Sequence, residues 1–369
     1  MYLMYKKNIC FEISKNNYKV DESESVEVTE KINCRSCQLI NYDINLIKTR
    51  SYENKFNVLD ILSVLQNYMM NDEKVLIYIE EFYRSIESEE KLIFSPYILS
   101  YYECKKEELC SYNKICRDNF ILDIFQDLNI IRNTYNLQVK KFMSSENLPI
   151  IFMGKAAALV SHEVLGHLLE IDNFYFYKYS RYISLINKLN VDIEDNPFLI
   201  KELGLCRNDE MLNKSYKTIV FKHGIFTGDL IGGNINSRIC NRNLRRSRLI
   251  DSALPRMSTL CVNVNTLNKQ RLEYVEFGYD LILIKNVRKA FLDHKNNCIV
   301  LMVADAVEQK EGENIFRYEN FQLKFELNEF LNRINPIKLE KPRKYTINCY
   351  KKGQLLQTGV QSIDWILKN

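Results

Sequence analysis

The segment Gly154-Lys-Ala-Ala-Ala-Leu-Val-Ser161-His162-Glu163-Val-Leu-Gly166-His167-Leu-Leu-Glu170 holds two of the four histidines of the chain. A short apolar run at residues 148–153 precedes it, so the pattern predicts a strand, a turn at Gly154 and then a helix. Two imidazoles with a carboxylate beside the first are typical of zinc peptidases, in which the histidines hold the metal and the glutamate moves a proton. The segment therefore predicts a metal site on a helix.

The two histidines are one residue further apart than in the common His-Glu-x-x-His motif. His162 and His167 are related as i and i+5, which a regular helix of about 3.6 residues per turn places roughly 140° apart. A one-residue π-bulge would bring them toward one side, and Gly166 tolerates such distortion. The spacing therefore predicts a bulged helix. The alternative is that these are two ordinary histidines of a buried helix.

The composition is that of an ordinary globular protein. A chain of 369 residues, 46% hydrophobic and 27% charged, can bury a sizeable core and predicts two domains or one large domain with an elaborated edge. The net charge of +4, from 51 basic and 47 acidic side chains, is too small by itself to indicate nucleic-acid binding. No apolar run reaches the roughly 18 residues that cross a membrane, and we expect no signal peptide.

The eleven cysteines do not resemble a secreted disulfide framework, because they are odd in number and irregularly spaced. This favours a reducing, cytoplasmic location. Cys34-x-x-Cys37 and the series Cys104, Cys110 and Cys116 have spacings that suit a metal or a redox pair. No second Cys-x-x-Cys pair accompanies the first, so free thiols are the preferred interpretation and a second metal site is the alternative.

The fold class predicted for the chain is α+β, with a smaller amino-terminal α+β domain at residues 1–147. Strand-like patterns there cover residues 7–14, 25–32, 37–51, 75–79 and 92–102, and helical patterns cover residues 58–68 and run from Ile121 toward Phe142. A polar break at residues 144–147, followed by Pro149, sets the boundary.

Residues 148–369 predict a β-rich catalytic domain that carries the motif helix. Residues 192–196 are rich in turn formers, and a hairpin is predicted to turn at His223-Gly224. Later strand patterns cover residues 260–264, 280–285, 298–303 and 314–325, and a short helix is predicted at residues 328–333. His223 and His294 both fall in predicted turns.

Two histidines are too few for a catalytic zinc site, which usually has three protein ligands. Glu170, His223, His294 and several cysteines are available as the third donor, and the spacing in the sequence does not choose among them.

A longer ordered series of motifs resembles the TldD/PmbA family, also called the modulator-of-gyrase family. The series comprises His162-Glu163-x-x-x-His167-x-x-Glu170, Asp195-Asn-Pro197, Asn208-Asp-Glu210, Phe221-Lys-His-Gly-Ile-Phe-Thr-Gly228, Arg245-Arg246, Leu254-Pro-Arg-Met-Ser258 and Cys349-Tyr-Lys-Lys-Gly-Gln354 with Gly359-Val-Gln361. It covers about residues 148–369. Asn243-Leu244, Met211 and Tyr350 depart from the family pattern, which has glycines in these places.

The resemblance implies a zinc metallopeptidase and, within the family, the TldD-like subunit that bears the HExxxH motif. It implies His162, His167 and Cys349 as ligands of Zn²⁺ and Glu163 as the general base. It also implies unfolded or leader peptides as substrates, and a homodimer or a heterodimer with a related subunit that lacks the motif. A non-catalytic peptide-binding subunit with a structural metal is the alternative.

The basic cluster Arg242-Asn-Leu-Arg245-Arg246-Ser-Arg248 predicts either a solvated loop or arginines that line a cleft and bind carboxylates. Arg245 and Arg246 are thus candidate substrate-binding residues and candidates for stabilising the negative charge of the reaction. Nucleic-acid binding is disfavoured because the cluster is short and lacks interleaved aromatic residues.

Overall fold

The computed structural model describes residues 2–14, 17–29, 65–69, 73–86, 97–104, 107–115, 132, 134, 137–143, 148–199, 215–236, 243–247, 251–264, 280–337 and 343–368. Several predictions lie outside these residues: those on Cys34, Cys37 and Cys116, the strand at 37–51 and the helix at 121–131. Of the helix predicted at 58–68, residues 65–68 are described and are helical.

The amino-terminal strands form a five-stranded antiparallel sheet. They are β1 (Tyr2–Ser14), β2 (Asn17–Thr29), β3 (Glu73–Ile86), β4 (Tyr97–Cys104) and β5 (Glu107–Ile115), in the spatial order β2-β1-β3-β4-β5. The predicted strands at 7–14 and 75–79 are thereby confirmed, and those at 25–32 and 92–102 are confirmed over their described residues 25–29 and 97–102. Strand β5 has no counterpart among the strand patterns predicted from the sequence.

A mixed seven-stranded sheet lies at the centre of the remaining chain. Its strands in spatial order are β19 (Ile334–Ile337), β22 (Asp364–Leu367), β7 (Ile150–Phe152), β16 (Leu281–Asp293), β17 (Cys298–Lys310), β18 (Glu313–Glu326) and β6 (Gln138–Val139). The helix Leu327–Arg333 follows β18, as the sequence predicted.

The short strand β6 shows that the helix predicted to run toward Phe142 does not reach that residue. Gln138 and Val139 pair in parallel with β18 instead. The ring of Phe142 stacks on Phe321 at a centroid distance of 4.2 Å, so packing against β18 overrides the local helical pattern. The domain boundary after residue 147 stays a prediction.

A six-stranded sheet supplies the second wall of the core. In spatial order it contains β10 (Ile225–Phe226), β9 (Thr218–Lys222), β8 (Val191–Asp195), β15 (Thr259–Val264), β21 (Gln354–Ser362) and β20 (Arg343–Lys351). Two-stranded ribbons join β11 (Asp229–Leu230) to β12 (Gly233–Asn234) and β13 (Leu244–Arg245) to β14 (Leu254–Pro255). The hairpin turn predicted at His223-Gly224 is confirmed.

The turn predicted at residues 192–196 is wrong for most of its length, because β8 continues through Asp195. Val191, Ile193 and Asp195 are buried alternately, which is the two-residue period of a strand. The Asp195 carboxylate accepts hydrogen bonds from the backbone N–H groups of Ser258 (2.8 Å) and Thr259 (3.0 Å). A residue that looks like a turn former is thus fully satisfied inside the sheet.

Asn243 occupies a left-handed position, with φ 51°. The family pattern has glycine in this region, and asparagine is among the few other residues that tolerate such a φ. Its side-chain amide donates to Asp195 (3.0 Å) and to the carbonyl of Tyr216 (2.8 Å). The substitution therefore keeps the turn and adds contacts to β8.

The motif helix, residues 155–169, packs against strands of both larger sheets, including β16 and β21. Ala156, Ala157 and Ala158 are fully buried, and their small side chains allow close approach on every side. The fold is α+β, as predicted. Among the described residues, no helix has the length and apolar character needed to cross a membrane.

Candidate metal centre

The predicted distortion of the motif helix is present. The backbone is α-helical at Lys155–Val160, π-helical at Ser161–Gly166 and 3₁₀-helical at His167–Leu169. The N–H of His167 donates to the carbonyl of His162, five residues earlier. The wider turn brings the two imidazoles to one side, with ring centroids 4.7 Å apart and ring planes at 79°.

Gly166 permits this turn because it lacks a side chain, not because its backbone is unusual. Its φ of −64° and ψ of −62° are ordinary helical values. A Cβ at this position would lie 2.0 Å from Sδ and 2.8 Å from Cε of Met257, which is fully buried. Close packing, rather than the conformational freedom that the sequence suggested, thus explains this glycine.

Cys349, in β20, lies against the two histidines. Its Sγ is 3.6 Å from Nε2 of His167, although the two residues are 182 positions apart in the chain. The buried guanidinium of Arg256 holds the hairpin of β20 and β21 by donating to the carbonyls of Cys349 (3.4 Å), Lys351 (3.1 Å) and Gln354 (2.9 Å). Arg256 therefore fixes the backbone that presents the thiol.

The donor atoms of His162, His167 and Cys349 are buried and lie within 4.8 Å of one another. In a tetrahedral zinc site, with Zn–N of about 2.1 Å and Zn–S of about 2.3 Å, nitrogen and sulfur donors are about 3.6 Å apart. This equals the 3.6 Å separation of Cys349 Sγ and His167 Nε2. Nε2 of His162 is buried without a hydrogen-bond partner among the described residues, a costly arrangement that a metal would relieve. The donor set fits zinc.

Glu170 orients His167 instead of serving as the third donor. Its Oε2 lies 2.8 Å from Nδ1 of His167 and accepts hydrogen bonds from Asn173 Nδ2 (3.1 Å) and Lys351 Nζ (2.9 Å). Burial alone would raise the pKa of Glu170, but the charges of Lys351 and His167 hold that pKa well below its usual range. An ionised carboxylate on Nδ1 fixes the ring and leaves Nε2 to bind a metal.

The pKa values of the two histidines are shifted in opposite directions, although burial lowers both. Burial lowers the pKa of His162 well below the ordinary value, and nearby His167 adds to this effect, so His162 is neutral at pH 7. For His167, burial also lowers the pKa, but Glu170, Cys349 and Glu163 outweigh it and the net shift is upward. A metal must displace a proton from His167, so metal affinity rises with pH.

Glu163 lies at the more accessible side of the cluster. Its exposed fraction is 9%, whereas that of His162 is 0%. Burial raises the pKa of Glu163 to about 7, against opposing effects of the His167 charge, the backbone N–H of Leu292 and the Lys289 charge. A carboxyl group with a pKa near the working pH can both accept and return a proton.

Arg245 and Arg246 are buried, with exposed fractions of 5% and 1%, so the solvated-loop interpretation is wrong for these two residues. The guanidinium of Arg245 donates to the carbonyl of Met257 at 3.0 Å. This contact supports the segment that packs on Gly166. The predicted role of the two arginines in substrate binding stays a prediction.

The remaining histidines lie in turns, as predicted. His223 is exposed between β9 and β10, and His294 lies between β16 and β17. Sequence reasoning missed the supporting roles of Arg256 and Lys351. Both residues fall inside motifs quoted above, so their presence was visible but their contacts were not.

An α+β fold with a buried His-His-Cys cluster and an adjacent glutamate defines a candidate metalloprotein of the HExxxH kind. Solved structures share the fold over almost the whole chain. TldE from Thermococcus kodakarensis has a TM-score of 0.63 at 12% identity, covering 100% of this chain and 95% of that protein.

Two further structures belong to proteins named as candidate modulators of DNA gyrase. The one from Bacteroides thetaiotaomicron VPI-5482 has a TM-score of 0.59 at 10% identity and covers 99% of this chain and 94% of its own. The one from Thermotoga maritima MSB8 has a TM-score of 0.56 at 11% identity and covers 99% and 95%. No protein-family model and no curated protein matches the sequence. The chain therefore has the fold expected from the resemblance.

Replacing Gly166 by alanine is expected to lower the free energy of unfolding by about 1–3 kcal/mol, because the added methyl group overlaps Met257. Urea denaturation measures this change. In the double variant Gly166→Ala/Met257→Ala, the loss should be smaller than the sum of the two single losses. Simple additivity would contradict this account of the packing.

Replacing Cys349 by alanine is expected to lower zinc affinity by at least about 100-fold, because one of three donors is removed. Competition with a chromophoric chelator measures the affinity. Cys261→Ala is the matched control, since Cys261 is also a buried thiol but lies in β15 against the carbonyl of Thr259. Wild-type affinity in Cys349→Ala would remove this residue from the ligand set.

Proposed function

We propose that this chain is a zinc-dependent peptidase of the TldD/PmbA family and the subunit that bears the HExxxH motif. The observation that carries the proposal is the buried cluster of His162, His167 and Cys349 with Glu163 beside it. Among the described residues the cluster has three donors, which leaves one position of a tetrahedral site for water or substrate. A closed structural zinc site would have four protein ligands.

The chemistry of peptide hydrolysis suits these residues. A zinc ion held here supplies a Lewis acid that polarises the scissile carbonyl and acidifies water. Glu163 takes a proton from the water that adds to the carbonyl carbon and returns it to the amine that leaves when the C–N bond breaks. Its pKa of about 7 fits both the acceptance and the return of that proton.

Unfolded or leader peptides are the proposed substrates. Within the described residues, β20 is the last strand of the six-stranded sheet, and it carries Cys349. An extended peptide can add to such an edge through main-chain hydrogen bonds, which require little of its sequence. A folded substrate does not offer a free extended segment, so this mode of binding favours unfolded chains.

We propose further that the protein is cytoplasmic and acts as a dimer, either with a second copy or with a related subunit that lacks the motif. The irregular, odd cysteine content supports a reducing compartment. Nucleic acid is not proposed as a ligand, because the buried side chains of Arg245 and Arg246 are poorly placed to contact phosphates.

Replacing Glu163 by glutamine is expected to leave zinc bound and to lower kcat by about 10²- to 10⁴-fold, because an amide cannot take the proton. Reduced and alkylated casein is a suitable unfolded substrate, with fragments identified by mass spectrometry and zinc measured in parallel. Glu329→Gln is the matched control, since Glu329 lies on a surface helix and pairs with Arg333.

Two outcomes would contradict different parts of the proposal. Full activity in Glu163→Gln would exclude Glu163 as the general base. A wild-type protein that binds zinc and cleaves no unfolded chain would favour the peptide-binding subunit with a structural metal.

A further inference from the structure

Resting on the proposed peptidase function, we propose that His294 is a further catalytic residue. Its Nε2–H would donate a hydrogen bond to the substrate oxygen that gains negative charge when water adds to the carbonyl. This assigns a role to a third histidine, which the sequence marks as part of a polar turn and as one of several available metal donors. The sequence offers Arg245 and Arg246 for this role, but both are buried and Arg245 donates to the carbonyl of Met257.

The strand that leads to His294 runs past the general base. The backbone N–H of Leu292, near the end of β16, donates a hydrogen bond to the Glu163 carboxylate. The charge of Lys289, on the same strand, lowers the pKa of Glu163. His294 follows Leu292 by two residues. The turn after β16 therefore borders the Glu163 side of the cluster.

Two residues of the cluster retain some exposure. Glu163 and His167 have exposed fractions of 9% and 7%, whereas those of His162 and Cys349 are 0% and 1%. The charge of His167 lowers the pKa of His294. A substrate that reaches the cluster past Glu163 would therefore meet the turn that carries His294, which follows Leu292 by two residues.

Two tyrosines from the segment after the motif helix hold the His294 ring. Tyr177 stacks on it, with ring centroids 3.8 Å apart and planes at 5°. The hydroxyl of Tyr179 is hydrogen-bonded to its Nδ1. Lys178, between them, has a left-handed backbone with φ 55°, so the chain turns there and both tyrosines contact one imidazole.

The hydrogen bond from Tyr179 determines which nitrogen of His294 carries the proton. Tyr179 is buried, and Nδ1 of His294 is the hydrogen-bond partner of its hydroxyl among the described residues. Because Nδ1 is the hydrogen-bond partner of this hydroxyl among the described residues, we assign the hydroxyl as the donor and Nδ1 as the acceptor. Burial raises the pKa of Tyr179 and lowers that of His294, so both are neutral at pH 7. The imidazole proton is then on Nε2, which makes no hydrogen bond to the described residues.

The turn that carries His294 is itself fixed. Asn296 donates to the Asp293 carboxylate from its backbone N–H (3.1 Å) and its side chain (2.6 Å). Asn297 donates to the hydroxyl of Tyr182 (2.5 Å). A donor held in place before the reaction stabilises developing charge without reorganisation, and such a donor typically contributes about 10²- to 10³-fold to kcat.

The first test uses kcat, KM and zinc content of His294→Ala and His294→Gln. The probe is a fluorogenic peptide copied from a casein site that the wild type cleaves. We expect His294→Ala to lose about 100-fold or more in kcat while KM stays within about 3-fold and zinc is retained. His294→Gln should recover part of this loss because its amide keeps an N–H donor.

Two further variants provide a second test and a control. Tyr179→Phe should lower kcat by about 10-fold, because the tautomer and ring orientation are no longer fixed. Tyr179→Phe also tests the role of His294 if His294→Ala does not fold. His223→Asn is the matched control, since His223 is an exposed turn histidine with φ 54°, which asparagine accepts. It should have wild-type kcat and KM.

A second test distinguishes a catalytic role of His294 from a purely structural one. A phosphinic analogue of the peptide carries negative oxygens where the tetrahedral intermediate has them. In His294→Ala its inhibition constant should rise by about 100-fold, whereas binding of the uncleaved peptide, measured in the Glu163→Gln background, should be unchanged. Equal weakening of both ligands would show a structural role and overturn the inference.

Failure of the role proposed for His294 can be distinguished from failure of the proposed peptidase function. Wild-type kcat in His294→Ala and Tyr179→Phe, together with an inactive Glu163→Gln, would overturn the role of His294 and leave the peptidase proposal standing. A wild type without peptidase activity would overturn both.

Discussion

The hydrogen bond from the N–H of His167 to the carbonyl of His162 is the interaction on which the candidate metal centre depends. It adds one residue to a single helical turn and so rotates the second imidazole toward the first. Isolated π turns are rare, so this one needs support from its surroundings. The indole of Trp365 donates to Ser161 at the start of the turn, and Met257 fills the space left by Gly166 at its end.

Local features of the site could be predicted from the sequence, because the count of residues between His162 and His167 already requires a distorted helix. Cys349 could not be derived in this way and came only from the family resemblance, since its contact with His167 spans 182 residues. The error at β8 has a similar origin. Asp195 favours a turn locally, but its carboxylate is satisfied by Ser258 and Thr259 from an adjoining segment.

The role of each charged residue depends on whether it is buried, and the sequence does not show burial. Arg245 and Arg246 look like a surface cluster but lie inside, whereas Arg256 acts as a tether for three carbonyls of the β20–β21 hairpin. Lys351 neutralises Glu170, which in turn orients His167. The candidate ligands His167 and Cys349 are thus held by buried hydrogen bonds and ion pairs. These contacts form only when the hairpin is in place, so the sequence does not reveal them.

The position of Cys349 also affects the order in which the site can be assembled. The motif helix follows β7, but β22, which pairs with β7, and the hairpin that carries the thiol belong to residues 343–368. A chain being synthesised would present two imidazoles long before the third donor exists. A metal bound by the complete set would stabilise only the finished fold, by about 2.7 kcal/mol at a free concentration 100 times the Kd. Retention of the metal would thus report that the last strands have docked.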